Sequence, residues 1–391
     1  MLTVEKITTR EEFDKLGQEW NSLLEESASN TLTLTWEWLS TWWEVFCQGR
    51  ELYTLVARDG SRVVGIAPLL RRTVHRYGVL PFRRLEFLAS GEDEADEICS
   101  EYLDFILRRG REEEAIEAIF RHLRDHQSEW DEILLTDIRA EALSLSFIRR
   151  LCQESGARLE ELRNQTCIYV TLPADMETLL RSVSPAFRQR IRKDRRVAVE
   201  IGAELKVIDG AEGFDQDFDA LIRLHQKRWR ERGEPGVFSS EKFTRFHRRL
   251  ASRIIPKRWA RLFTLSIKGE PVAALYDFVY EGKMYYYQSG LDLESGQLRS
   301  PGLLVRAYAI ETAIKEGLAE CDFLKGDIRG YKAGWRGQTR SVLQLRLARS
   351  HSKEAIYTVA TRLVDGLRQV KRTIKSAAAL AMSLSVTLRN L

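Results

Sequence analysis

Long apolar runs are missing from this sequence. The nearest candidate, Ala377 to Val386, is broken by serines and falls short of the about 18–20 residues that a membrane-crossing helix needs. The opening MLTVEKITTREEFDKL holds no apolar stretch suited to a secretory signal, so a cytoplasmic protein is expected. Cysteine is sparse and scattered, at Cys47, Cys99, Cys152, Cys167 and Cys321, with no CxxC pair and no histidine at ligand spacing. That pattern predicts reduced thiols and no structural zinc. No GxSxG elbow, GxxxxGK[ST] loop or HExxH pair occurs, so hydrolase, nucleotidase and metalloprotease chemistry lack support. An excess of one charge is also lacking. Basic residues number 61 against 57 acidic, a net charge of +4, which by itself gives no ground for nucleic-acid binding. The excess is local, because residues 353–391 hold seven basic and two acidic side chains.

What is present is an ordinary globular composition, 44% hydrophobic and 30% charged over 391 residues, enough for two domains. The apolar spacing of Glu11 to Glu26 predicts a helix, and TWEWLSTWWEVF (Thr35 to Phe46) a second, buried one. ELYTLVARDG and RVVGIAPLLRRTV read as strands joined at Asp59-Gly60. RRLEFLAS, EYLDFILRR, DEILLTDI and TCIYVTL read as further strands, with helices at Glu112 to Asp125 and Leu143 to Glu154. After the linker at Leu172–Asp175 the order largely repeats. A basic helix (Pro185 to Glu200), the strand ELKVID, and helices Phe214 to Arg232 and Glu241 to Ile255 come first. Then follow strands with turns at Lys268-Gly269 and Glu281-Gly282, a helix from Pro301 to Glu316, and the strands ECDFLK and SVLQLRLA. ELYTLVARDGSRVVGIAPLL parallels ARLFTLSIKGEPVAALYDFV, as in a diverged duplication. Alternating β and α elements give an α/β fold. The expected organisation is a first lobe over 1–173, a second over 174–350 and a basic amphipathic helical tail over 351–391.

Three segments in the second lobe could carry chemistry. Arg299-Ser300-Pro301-Gly302 opens a helix, whose free N–H groups can hold a phosphate, with Arg299 and Arg306 adding charge. In KMYYYQSG, strand alternation puts Tyr285 and Tyr287 on one face and Tyr286 on the other, so that a hydroxyl could orient a substrate or give up a proton. Packing of aromatic rings in a strand explains the same run equally well. DFLKGDIRGYKAGW (Asp322 to Trp335) gathers Asp322, Asp327, Tyr331 and Lys332 among three glycines at a strand end, where α/β folds usually build sites.

These pieces resemble the GNAT acyltransferases of the FemAB-like group, in the branch labelled CelD-like or cellulose-biosynthesis-type. The matching segments are SPAFRQRIRKDRR, LHQKRWRERG, VAALYDFVYEGKMYYYQSGLD, SPGLL and DFLKG…YKAGW, with TWEWLSTWWEVF and GIAPLL as a weaker match in the first lobe. The resemblance implies two tandem GNAT-like lobes with mixed sheets. It implies acyl transfer to an amine or hydroxyl from acyl-CoA as cosubstrate, with no permanently bound cofactor and no metal. Arg299, Ser300, Pro301 and Gly302 would then lie at the pyrophosphate loop. That loop keeps one glycine where the family pattern has more, so acyl carrier protein and aminoacyl-tRNA stand beside CoA as donors. Candidate catalytic residues are Tyr287, Asp322, Tyr331 and Lys332, together with His225, at a position where many relatives carry histidine. On a helix, a lone histidine is more often structural.

Two basic features bear on partners. The helix PAFRQRIRKDRRVAVE carries six cations, and only Asp194 and Glu200 lie close by in sequence, which favours an anionic partner. HRYGVLPFRR and the C-terminal tail suit an anionic membrane surface, so a peripheral location at the inner face is a further expectation. The acceptor would be a small molecule, sugar or lipid, in polysaccharide or cell-envelope biosynthesis. The competing functions are aminoacyl transfer from charged tRNA and a non-catalytic scaffold in polysaccharide assembly.

Overall fold

In a computed structural model of the chain, residues 2–76, 80–294, 296, 298–326 and 330–348 are described, with backbone only at 76, 80 and 331. The tail expected over 351–391 lies outside the described residues, as does Tyr77. The first half runs β1 (Thr3–Ile7), α1 (Arg10–Lys15), α2 (Gly17–Glu25), α3 (Trp36–Phe46), β2 (Glu51–Leu52), β3 (Thr54–Asp59), β4 (Arg62–Ala67) and β5 (Leu69–Arg76). It continues through β6 (Leu80–Phe87), β7 (Ile106–Leu107), α4 (Glu112–Asp125), β8 (Glu132–Arg139), α5 (Leu143–Ser155) and β9 (Arg158–Thr171). The second half is α6 (Met176–Ser182), α7 (Pro185–Glu200), β10 (Ala203–Ile208), α8 (Phe214–Arg230), α9 (Glu241–Ile254), β11 (Ala260–Ile267) and β12 (Glu270–Tyr280). It ends with β13 (Lys283–Leu291), α10 (Pro301–Lys315), β14 (Glu320–Lys325) and β15 (Gln338–Ala348).

Local chemistry explains most boundaries. Ser184 caps α7, with Pro185 in its first turn. The turns at Lys268-Gly269 and Glu281-Gly282 hold both central residues at positive φ, which matches the twist of the strands they join. Three expectations needed correction. The helix read over Glu11 to Glu26 breaks into α1 and α2 at Gly17, where a Cβ would come within 2.9 Å of Trp36 Nε1. RVVGIAPLLRRTV is two strands rather than one. Pro68 has no N–H for a ladder, and the chain passes there from one sheet to another. EYLDFILRR is irregular up to Phe105, where Tyr102 takes a left-handed φ of 66°, and pairs from there through Ile106–Leu107 and a bridge between Arg108 and Ser27.

Among the described residues the strands form a four-stranded sheet, β1-β3-β4-β7, and an eleven-stranded sheet, β10-β11-β12-β13-β14-β9-β15-β8-β6-β5-β2. The large sheet is continuous across both halves. Its last described strand, β15, lies antiparallel between β9 (Gln338 opposite Tyr169) and β8 (Val342 opposite Arg139). Helices cover its faces, giving a mixed α/β architecture. One apolar core joins the halves: Trp38 of α3 meets Phe246 of α9 at 5.2 Å and Phe278 of β12 at 5.5 Å between ring centroids. A second core, including Val170, Leu179, Ile191, Val305 and Phe323, fills the opposite face of the second half.

Candidate functional site

β13 and β14 are parallel neighbours for only three residues, Lys283–Tyr285 opposite Glu320–Asp322. Beyond that rung β13 continues to Leu291, while β14 swings to pair with β9, and the two strands part. Two local devices produce the split. In β13 the register with β12 slips between Tyr286 and Gln288, leaving Tyr287 as a bulge. In β14 the Asp322 carboxylate accepts the Leu324 N–H at 2.7 Å, and Leu324 adopts φ 56°. Asp322 is fully buried. It also accepts from Tyr102 Oη at 2.7 Å and lies 3.4 Å from Arg340 Nη1, while burial pushes its acidity down. It therefore holds the strand's bend in place.

On one face of the split is a cleft of about 500 Å³, within the range of small-molecule sites. Ser300, Pro301, Gly302 and Leu303 at the start of α10 line it, and no side chain among the described residues caps that fifteen-residue helix. The free N–H groups and the positive end of the helix dipole thus open on the cleft. Gly302 lets the helix start approach β13, since a Cβ there would come within 2.8 Å of Leu291. Arg190 of α7, Arg228 of α8, Arg299 and Arg306 add four guanidinium groups to the walls. Arg306 is committed: it makes a bidentate pair with Asp277 at 2.5 and 3.0 Å, and its guanidinium lies 3.9 Å from the Tyr286 ring. Within α7 the cations are partly engaged, which corrects the expectation of an unpaired excess. Arg192 bonds Glu177 of α6 and Arg195 bonds Glu311 of α10, both at 2.6 Å, through contacts that linear proximity does not reveal.

The sequence candidates divide between the two faces. Tyr286 faces the cleft, whereas Tyr285 and Tyr287 lie on the other face, as strand alternation predicts. Tyr287 Oη donates to Ile98 O at 2.5 Å and lies 3.0 Å from His247 Nε2. Lys332 pins the short helical turn at Tyr331–Trp335 to the end of β14, donating to Phe323 O at 2.5 Å and Lys325 O at 2.9 Å. Its ammonium lies 5.5 Å from the Tyr286 ring centre, and burial lowers its pKa against the pull of Glu101. The Tyr331 side chain lies outside the described residues. His225 is buried away from the cleft, with Nδ1 3.1 Å from Gln226 Oε1 and its ring edge-on to Phe238.

Sequence reasoning put Tyr286 on its own strand face without counting it among the catalytic candidates, and it passed over Arg228, Glu101 and His247. The last had a signal: it sits on the apolar stripe of α9 with Phe243, Phe246, Leu250 and Ile254. Burial lowers the pKa of His247 to about 3 and that of His225 to about 4. Both are therefore neutral when folded at neutral pH but protonate near 6.5 when unfolded. The unfolded state binds more protons below pH 6.5, so stability is lost as pH falls towards 4. Thermal midpoints across that range should show a drop that shrinks in His225→Gln, by roughly 1–3 kcal/mol in the histidine's contribution.

Comparison with known proteins agrees with this geometry. Residues 185–333 match the family model for the acetyltransferase (GNAT) domain. The structure is similar to that of FemX, with a TM-score of 0.62 at 12% identity over 91% of this chain and 99% of that one. L-PGS from Bacillus licheniformis aligns at 15% identity with a TM-score of 0.49, over 88% of this chain and 96% of that one. A tandem GNAT protein from the clavulanic acid biosynthesis pathway aligns at 13% identity with a TM-score of 0.45, over 90% of this chain and the whole of that one. No curated protein matches the chain in sequence. Residues 185–333 thus match the GNAT domain model, in a chain whose overall fold is similar to that of FemX.

Proposed function

We propose that the protein is a GNAT-fold transferase that moves an acyl group from acyl-CoA to an amine or hydroxyl acceptor. The observation that carries this is the split between β13 and β14 beside an uncapped, arginine-flanked helix start. Phosphates of the donor would lie on the N–H groups at Ser300–Leu303, between Arg190 and Arg299. The acyl carbonyl would enter the split, where a main-chain N–H of the bulged β13 or the Tyr286 hydroxyl can stabilise the oxyanion. Acyl carrier protein would present the same phosphate and thioester to the same cleft.

Aminoacyl transfer from charged tRNA is a second reading, favoured by the near full-length likeness to FemX and by the basic α7. No helix among the described residues is long and apolar enough to cross a membrane. A role in polysaccharide or envelope assembly, at the inner membrane face, fits the basic C-terminal segment.

A thermal-shift and turnover screen against acetyl-CoA, longer acyl-CoAs, acyl carrier protein and aminoacyl-tRNA separates these readings. Acyl-CoA should raise the melting midpoint and turn over. Arg190→Ala and Arg299→Ala should each weaken donor binding about tenfold or more, in line with the about 1.5–3 kcal/mol of a charged hydrogen bond. Binding of tRNA with steep salt dependence would favour the aminoacyl reading. If no donor binds, the protein is a scaffold and the transferase reading fails.

A further inference from the structure

The large sheet ends in β2 on one side and in β10 on the other. β2 is only two residues long, whereas β10 runs for six, Ala203–Ile208. On its inner side β10 pairs with β11 in an unbroken antiparallel register, from Ala203 opposite Ile267 to Ile208 opposite Leu262. On its outer side no strand pairs with it among the described residues. Alternate residues of such a strand turn their N–H and C=O groups outward, where they need water or a partner. Edge strands are usually blunted by proline, a bulge or an excess of one charge. β10 has no proline, no bulge against β11, and one charge of each sign.

We propose that β10 pairs with β10 of a second copy of this chain, antiparallel about a twofold axis at Leu205, joining two large sheets into one. This does not rest on the transferase reading. Charge selects the register. In a twofold contact the same strand serves both sides, so its pattern must complement itself. With the axis at Leu205, Glu204 of each copy faces Lys206 of the other, so the attractive pair forms twice. Val207 of each copy faces Ala203 of the other. The neighbouring registers that keep α7 of both copies on one side have the axis at Glu204 or at Lys206. Each sets two like charges directly opposite one another, which is unfavourable. β1, the five-residue edge of the small sheet, offers no such match, because Glu5 pairs with Arg58 and Lys6 with Glu129 within the chain.

The two faces of the strand suit this pairing. Lys206 lies on the α8 side, where it bonds Asp217 at 2.7 Å while 54% of its side chain stays exposed. An ammonium has three donors, so that bond leaves capacity for a glutamate across the axis. Glu204, on the same side, is exposed. Ala203, Leu205 and Val207 lie on the α7 side, where Ala203 and Leu205 pack on the second core. Val207 is 40% exposed there, and Val199, on the last turn of α7, is 78% exposed. The pairing brings Val207 of one copy to the Ala203 end of the other, next to the turn that follows Val199. Apolar surface left open in the single chain is then covered. A contact built on one strand is small, so the dimer should be of micromolar strength and depend on concentration.

Sedimentation velocity of the full chain over about 1–200 µM tests this, with hydrogen exchange at the β10 amides as a second readout. A dimer should form within that range, and exchange at residues 203–207 should slow as it does. Glu204→Lys sets lysine opposite lysine at both pairs and should weaken the dimer about tenfold or more. Lys206→Glu should do the same by setting glutamate opposite glutamate. An equimolar mixture of the two variants should regain about the original affinity, because every lysine of one then faces a glutamate of the other. Melting midpoints check that both variants fold, which matters most for Lys206→Glu because it loses the bond to Asp217. A chain that stays monomeric throughout overturns the proposal, and protected β10 amides in that monomer would assign the edge to another segment of the same chain. A dimer that Glu204→Lys leaves intact, or a mixture that associates no better than its components, places the contact elsewhere and overturns it as well.

Discussion

Arg306→Met is expected to lower unfolding stability by about 3–5 kcal/mol at neutral pH, as for other buried ion pairs that lose one partner. Arg306 is 1% exposed and Asp277 is fully buried. The guanidinium donates two hydrogen bonds to Asp277 on one side and lies against the Tyr286 ring on another. Removing it strands a carboxylate in the sheet interior. The pH dependence gives a second signature. Burial already raises the Asp277 pKa, and Arg306 opposes that rise. Without Arg306 the pKa rises further, so the folded variant takes up a proton that the unfolded chain, ordinary at about 4, does not hold at neutral pH. The loss should therefore be smaller at about pH 5 than at about pH 8, and Arg306→Met/Asp277→Asn should recover part of it. Urea melts at the two pH values measure both effects. A loss under about 1 kcal/mol at neutral pH would remove the pair from the list of structural supports. Because Arg306 also walls the cleft proposed for the donor, donor affinity should be read in the double variant as well.

Trp38→Ala should cost about 3–5 kcal/mol, the usual penalty for deleting a buried tryptophan. Trp38 is 1% exposed, and its ring packs edge-on against Phe246 and Phe278. Its indole N–H donates to Ser100 Oγ at 2.9 Å, which would lose its donor. Trp38→Phe keeps most of the ring and should cost about 1–2 kcal/mol. A Trp38→Ala protein as stable as Trp38→Phe would mean that this ring cluster adds little to the joining of the halves. Chemical denaturation of the two variants decides the matter.

How much of this was legible beforehand depended on the range of the physics involved. α4, α7, α9 and α10 and the hairpins at Lys268-Gly269 and Glu281-Gly282 follow from apolar period and turn chemistry, which act over a few residues. The opposite faces of Tyr285, Tyr286 and Tyr287 follow from strand alternation in the same way. The start of α10 was visible in Ser300-Pro301-Gly302. Its partners Phe187 and Arg228 were not, because they come from helices that meet it only in the fold. Glu101 was hidden for a different reason. It follows the acidic run Glu92–Glu97, and nothing in the sequence says that this one carboxyl is buried while Asp93 and Glu94 are exposed. Charge composition likewise overstated the free cations of α7, because their acids lie on α6 and α10.

The placement of β15 between β8 and β9 also bears on how the chain is made. Arg346 bonds Glu132 at 2.7 Å across a separation of 214 residues. A ribosome delivers β8 and β9 long before the strand that fits between them. Until β15 emerges, the two edges it will occupy have no partner, and each is a template for another chain's strand. The nascent protein thus carries an open slot while residues 172–337 are made. Closing that slot is a late, long-range step, in the class of contacts that slow folding most.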